Sequence, residues 1–258
     1  MRVRDLLRRV DGVAPFALAE DWDNVGLMVG ALEAEVRCVG LALDPVPEAV
    51  VSAAESGCQA LLCHHPLLFH PVKKLDLNAD PGRAIREAVK RDVAILAAHT
   101  NWDRAERGVN ATLARLLGLS EFGPLEPEGF GVVGTLPAGL SLRGAMERVR
   151  AAWGLSRLDG YAPCGYNDAV VSQVALCGGS GGGLWPAARA RGADLYVTAD
   201  MKYHELMDAN GAGLAVAVAD HGEMERASLP ELADRLRDAG GVEVVLLDVR
   251  GLAAPIRI

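Results

Sequence analysis

Short apolar runs punctuated by glycine, proline and polar turns recur along this chain, and they alternate with segments whose apolar residues return every three or four positions. Val3, Leu6, Leu7 and Val10 share one face of a helix over Arg2–Val10. Val36–Leu43, Ala60–Cys63 and Val93–Ala98 read as strands, apolar nearly throughout, as strands buried on both faces are. A helix between the first two begins at Asp44-Pro45-Val46-Pro47-Glu48, with Asp44 as its N-cap and proline early in its first turn. Further helices are predicted over 83–90 and 109–117. In Glu20–Gly30, Asp21, Asp23 and Asn24 fit a turn closed by side-chain bonds, or carboxylates that line a pocket. Glycine and proline crowd Phe122–Gly139, which reads as a boundary around one short strand. Beyond it, strands over 170–177, 193–198, 214–219 and 242–249 alternate with helices over 142–153, up to 190, up to 211 and over 229–239. Such alternation predicts an α/β fold with mainly parallel or mixed sheets.

The pattern repeats. A shift of 135 residues lays Val36–Cys63 on Val171–Thr198 without a gap, bringing Gly57 onto Gly192, Val39 onto Val174 and Leu41 onto Leu176. Each half then continues through a helix to a further strand that ends near a histidine, His99 in one and His221 in the other. The reading is two similar α/β/α units, whose strand ends would line a ligand cleft.

Candidate chemistry gathers at those strand ends. The run Ala60–Cys63 stops at His64-His65-Pro66, and proline cannot extend a ladder. Strand C-termini are where open α/β sheets bind ligands. Neighbouring strand residues face opposite ways, so His64 and His65 suit two ions, one imidazole each. Asp103 follows His99 by four residues and Glu225 follows His221 by four, a spacing that puts both side chains on one face if the segment is helical. Imidazoles with carboxylates and no thiolate suit Zn, Fe, Mn or Co, and either carboxylate could bridge two ions. Cys63 is assigned to the core, His70 to solvent, and Tyr203-His204 to a pocket wall or proton donor. The run Gly178–Gly183 matches neither nucleotide-binding glycine signature; a tight strand-to-helix turn or a phosphate nest fits it.

Composition narrows the class. Half of the 258 residues are hydrophobic, and the net charge of −8 argues against a general nucleic-acid surface. Cys38, Cys58, Cys63, Cys164 and Cys177 contain no C-x-x-C pair, which points to a reduced cytoplasmic protein without a disulfide framework. No apolar run is long enough to span a membrane, and a charged N-terminus does not read as a signal peptide.

Trp22-Asp23-Asn24-Val25-Gly26-Leu27, His64-His65-Pro66, His99-Thr100-Asn101-Trp102-Asp103, Gly108-Val109-Asn110, Asp200-Met201-Lys202-Tyr203-His204 and the His221/Glu225 pair occur in an order that resembles the Nif-three-like dinuclear metal centre proteins, also labelled GTP cyclohydrolase 1 type 2 homologues. The resemblance runs along nearly the whole chain. It implies two similar α/β units, 1–125 completed by 222–258 and then 126–221, with a dinuclear metal cleft between them. It implies His64, His65, Asp103, His221 and Glu225 as ligands of two divalent transition metal ions (Zn, Fe or Mn), with His99 close by. It also implies a homohexameric toroid. The function expected from these readings is a metal-dependent hydrolase acting on a nucleotide-like, phosphorylated or cyclic-amide small molecule, with His99 or His204 transferring protons. The alternative is a non-catalytic metal-binding ring, a metal carrier or a scaffold for a protein or DNA partner.

Overall fold

The computed structural model describes residues 1–127, 129–163, 166 and 169–251, so Cys164 and the last seven residues of the expected C-terminal segment lie outside the described residues. In chain order the strands are β1 (Gly26–Val29), β2 (Cys38–Ala42), β3 (Ala60–Cys63), β4 (Ala94–Ala97), β5 (Ser120–Pro124), β6 (Val132–Ser141), β7 (Leu158–Tyr161), β8 (Val170–Ser180), β9 (Leu195–Ala199), β10 (Ala215–Ala219) and β11 (Glu243–Leu246). The helices are α1 (Val3–Val13), α2 (Pro47–Glu55), α3 (Gly82–Lys90), α4 (Thr100–Arg104), α5 (Val109–Leu117), α6 (Leu142–Trp153), α7 (Trp185–Ala190), α8 (Tyr203–Gly211), α9 (His221–Arg226) and α10 (Leu229–Ala239).

The chain divides into two compact units, Met1–Ala105 with the segment that begins at Leu229, and Glu106–Ser228. The division falls at 105 and 228 rather than at 125 and 221. The reason is pairing: α5 packs on α6 and β8, β5 pairs with β6, and α9 packs on β8 and β9.

The first unit is built on the sheet β1-β4-β3-β2-β11. Its three central strands are parallel to one another and every residue in them is buried. That explains their unbroken apolar sequence, because helices cover both faces of such a sheet. β11 adds in parallel to β2, whereas β1 runs antiparallel to β4. α1 buries Val3, Leu6 and Val10 and packs against α10, so the face read from its periodicity is the one the fold uses.

The second unit is built on the sheet β5-β6-β8-β9-β10-β7. Its centre repeats the first. Val39 pairs with Ala60 between β2 and β3, and Val174 pairs with Leu195 between β8 and β9, the same ladder register displaced by 135 residues in both strands. β10 continues the parallel set, and β7 flanks it antiparallel, as β1 flanks β4. β5 and β7 had no signal in the hydrophobic pattern: Ser120–Pro124 and Leu158–Tyr161 are short edge strands with mostly exposed or half-buried residues. No helix among the described residues is long and apolar enough to cross a membrane.

Candidate metal centre

In the first unit three segments deliver the histidines. The ladder between β2 and β3 continues past β3, with the His64 and His65 amides donating to the carbonyls of Ala42 and Leu43 at 3.3 and 3.0 Å. Both residues lie beyond the regular strand, so the alternation of faces does not separate them: their rings are 5.1 Å apart, centre to centre. The expectation of one imidazole per ion, drawn from strand alternation, loses its premise here. His99 follows β4 as the N-cap residue of α4, and its ring centre is 5.2 Å from that of His64 and 5.8 Å from that of His65. One ring nitrogen from each of the three lies within 4.8 Å of the others, close enough to hold a metal ion together. Asp103, in α4, places Oδ1 3.6 Å from His64 Nε2.

Each ring is oriented from behind. His64 donates from Nδ1 to the Ala98 carbonyl at 3.0 Å. His65 donates from Nδ1 to Asp44 at 2.7 Å, and His99 from Nδ1 to Asp23 at 2.9 Å. A carbonyl or carboxylate on Nδ1 fixes the tautomer and turns Nε2 toward the site, the usual arrangement behind metal-ligating imidazoles. Asp44 therefore does not cap α2, where Val46 is the N-cap residue and Pro47 opens the first turn. Of the two readings of the Glu20–Gly30 segment, the turn is the one observed. Asp23 belongs to a turn, yet its buried carboxylate accepts bonds from His99, from the Thr100 amide at 3.0 Å and from the Thr100 hydroxyl at 2.5 Å. Burial opposes its ionisation, but the bonds from His99 and Thr100 outweigh burial and hold the carboxyl well below the usual range.

In the second unit His221 opens α9 directly after β10, and Glu225 sits one turn on. The Asp220 side chain caps this helix by accepting from the Glu223 amide at 2.9 Å, which makes the segment helical and brings the i,i+4 pair together. His221 Nε2 is 3.1 Å from Glu225 Oε2, and Nδ1 donates to Asp200 at 2.6 Å. Burial pushes the His221 pKa down, but hydrogen bonds and charge from Glu225 and Asp200 prevail and raise it to about 9.

Asp200 and Gly179 were not foreseen. At the 135-residue offset, Asp200 occupies the position of His65 and Gly179 that of Asp44. Gly179 adopts φ +68, and a Cβ there would lie 2.2 Å from Glu225 Oε1 and 3.3 Å from His221 Nε2. The glycine makes room for the carboxylate. The rest of the glycine run is a strand-to-helix turn tied down by its own sheet: the Thr198 hydroxyl donates to the Gly179 carbonyl at 3.1 Å and the Tyr196 hydroxyl to that of Gly181 at 2.6 Å. Cys63 is buried in the apolar core, as its position suggested, and burial raises its thiol pKa. His70 is exposed. His204 is exposed in the first turn of α8 beside the ring of Tyr203, and it joins no metal-competent group among the described residues.

Comparison with known proteins identifies the family. The sequence model of the Duf34/NIF3 (NGG1p interacting factor 3) family matches residues 1–251. The chain belongs to this family. It is 31% identical to a GTP cyclohydrolase 1 type 2 homolog of Clostridium acetobutylicum, over 93% of this chain and 91% of that protein. It is 34% identical to a protein of the same name from Streptomyces coelicolor, over 91% and 87%. A crystal structure of a Bacillus cereus protein related to NIF3 superposes with a TM-score of 0.93 at 23% identity, covering 100% of this chain and 99% of that one, and so shares the fold. The mixed α/β fold is thus that of a NIF3-family chain.

Two outcomes follow from this geometry. Gly179→Ala should destabilise the protein by more than Gly57→Ala, because Gly57 also has a positive φ of +73 but nothing within 4 Å of its Cβ position. The Gly57 change should cost only the backbone term, about 1 kcal/mol, and equal losses in urea unfolding would contradict the packing of Glu225 against Gly179. The second outcome concerns pH in chelator-treated protein. His221 has a folded pKa raised above its unfolded value, so its stabilisation is present in full below pH 6.5 and is lost as pH rises through about 9. Urea unfolding at pH 6 and pH 10 should show that loss in the parent and a smaller one in His221→Gln.

Proposed function

We propose that this NIF3-family chain is a metal-dependent hydrolase whose two divalent transition metal ions are held by His64, His65, Asp103, His221 and Glu225. One observation carries the reading: each of His64, His65, His99 and His221 commits Nδ1 to a carbonyl or carboxylate. That arrangement costs one buried carboxylate, Asp23, and ordered rings, and it serves a ligand at Nε2. The donor set fits the ions expected of it, since imidazole nitrogens with carboxylate oxygens and no thiolate suit Zn, Fe or Mn. The names of the relatives from Clostridium acetobutylicum and Streptomyces coelicolor support a nucleotide-like or cyclic-amide substrate.

Such ions, when bound, lower the pKa of water and polarise the bond to be cut. The chain's own groups do the rest. Asp44, Asp23 and Asp200 hold the imidazoles in one tautomer. Asp103 and Glu225 supply negative charge that balances the ions; side-chain exposures of 11% and 5% keep these charges poorly screened. His99, half-buried and backed by Asp23, moves protons at Nε2, and His204 is the second group proposed for proton transfer.

The test is turnover by the purified, metal-loaded protein on a panel of nucleotides, phosphate esters and cyclic amides. Glu225→Gln should lower turnover by at least about a hundredfold, the scale of removing one tuned carboxylate, with the native fold retained. Turnover retained in Glu225→Gln would contradict the proposal. Metal held with no turnover of any substrate by the parent would favour the carrier or scaffold reading instead.

A further inference from the structure

Trp22 and Phe69 stand at the rim of the histidine cluster of the first unit, and neither the fold nor the proposed chemistry uses them. The chain is poor in aromatic residues, 5% in all, and it leaves Trp22 59% exposed and Phe69 39% exposed. Their rings meet edge to face, 5.8 Å apart at 71°, so they form a corner and not a stack. His99 lies against both, 6.4 Å from Trp22 and 5.9 Å from Phe69 between ring centres.

The corner is held in place. The turn that carries Trp22 is closed by the Asp23 amide donating to the Glu20 carbonyl at 2.9 Å, and it is anchored through the Asp23 carboxylate on His99 and Thr100. The Asn24 amide group donates to the Leu68 carbonyl at 2.7 Å, which ties this turn to the loop that carries Phe69. Two exposed rings held together beside a histidine cluster form an apolar surface that a ligand can cover. The same loop continues into Lys73 and Lys74, both exposed, which are two of the four lysines in a chain of net charge −8. A ring corner whose loop runs on into two exposed lysines four and five residues past Phe69, on an otherwise acidic protein, complements a flat heterocycle that carries an anion.

We propose that Trp22 and Phe69 form a stacking corner for the base of a nucleotide, with Lys73 and Lys74 supplying charge for its phosphate. The proposal deepens the hydrolase reading by naming its substrate class and the residues that select it, and it rests on that reading only for what happens after binding. Base stacking on an aromatic side chain is sequence-tolerant and is lost on truncation to alanine.

Equilibrium dialysis of GMP and of ribose 5-phosphate tests it on the full chain, with and without added Zn. The parent, Trp22→Ala, Trp22→Phe and Phe69→Ala are compared, with metal content and particle mass measured for each. The parent should bind GMP more tightly than ribose 5-phosphate. Trp22→Ala should weaken GMP binding about tenfold or more, Phe69→Ala should weaken it less, and Trp22→Phe should retain most of it. Ribose 5-phosphate affinity and metal content should stay at the parent's level throughout. GMP bound by the parent no better than ribose 5-phosphate would overturn the proposal, and so would equal GMP affinity in the parent and Trp22→Ala. A changed particle mass in Trp22→Ala would overturn it too, by assigning the corner to a contact with a second copy. Absence of metal from the parent would defeat the hydrolase reading and leave the nucleotide comparison intact.

Discussion

A hydrogen bond at Nδ1 of each site histidine is the constraint on which the rest of this structure depends. An imidazole left to itself offers either nitrogen and rotates about its terminal bond. Here the Ala98 carbonyl, Asp44, Asp23 and Asp200 each take one Nδ1 proton, and the opposite nitrogen is set. The cost is substantial, because the Asp23 side chain is buried and a buried carboxylate is tolerated only when its bonds are complete. Three bonds from His99 and Thr100 meet that requirement. Truncating one partner of such a buried pair typically costs about 3–5 kcal/mol, so orientation of the rings and stability of the loop are one problem.

The sheets make that constraint possible. Parallel strands β2, β3 and β4 end side by side, so the residues just past them are neighbours in space although far apart in sequence. Asp44, His64, His65 and His99 all occupy such positions. The second unit repeats the ladder register as far as Leu176 and Val197, then shifts register and spends its strand ends differently. Where the first unit pairs Asp44 with His65, the second has Gly179 and Asp200. The carboxylate now sits on the middle strand's end and takes His221, while the glycine clears space for Glu225. One strand plan thus yields two different polar arrangements at its strand ends.

Much of this was legible in the sequence. The apolar strands and the 135-residue offset foretold the central sheets, because a strand buried on both faces has few alternatives to a continuous apolar run. The histidines and Glu225 stood out as candidates by position and by an i,i+4 spacing. What stayed hidden has a physical reason in each case. β5 and β7 are exposed edge strands and carry no hydrophobic period. Asp44 stood before Pro45 and Pro47, where a helix cap is the ordinary role, and only the tertiary contact with His65 shows otherwise. Gly179 lay inside a glycine-rich run that fits any tight turn, and its specific task depends on Glu225, 46 positions away in sequence. The alternation rule failed at His64-His65 because the strand had already ended.

The most direct measurement is the metal content and metal affinity of the parent chain beside Asp44→Asn and Asp200→Asn, purified without a metal-binding tag and reconstituted with Zn, Mn or Fe. Asparagine keeps the size and the acceptor oxygen but removes the charge that fixes the imidazole. The account predicts about two ions per parent chain and an affinity about 10- to 100-fold weaker in each variant, with folding preserved. A parent that takes up no metal, or variants that bind it as tightly as the parent, would contradict it.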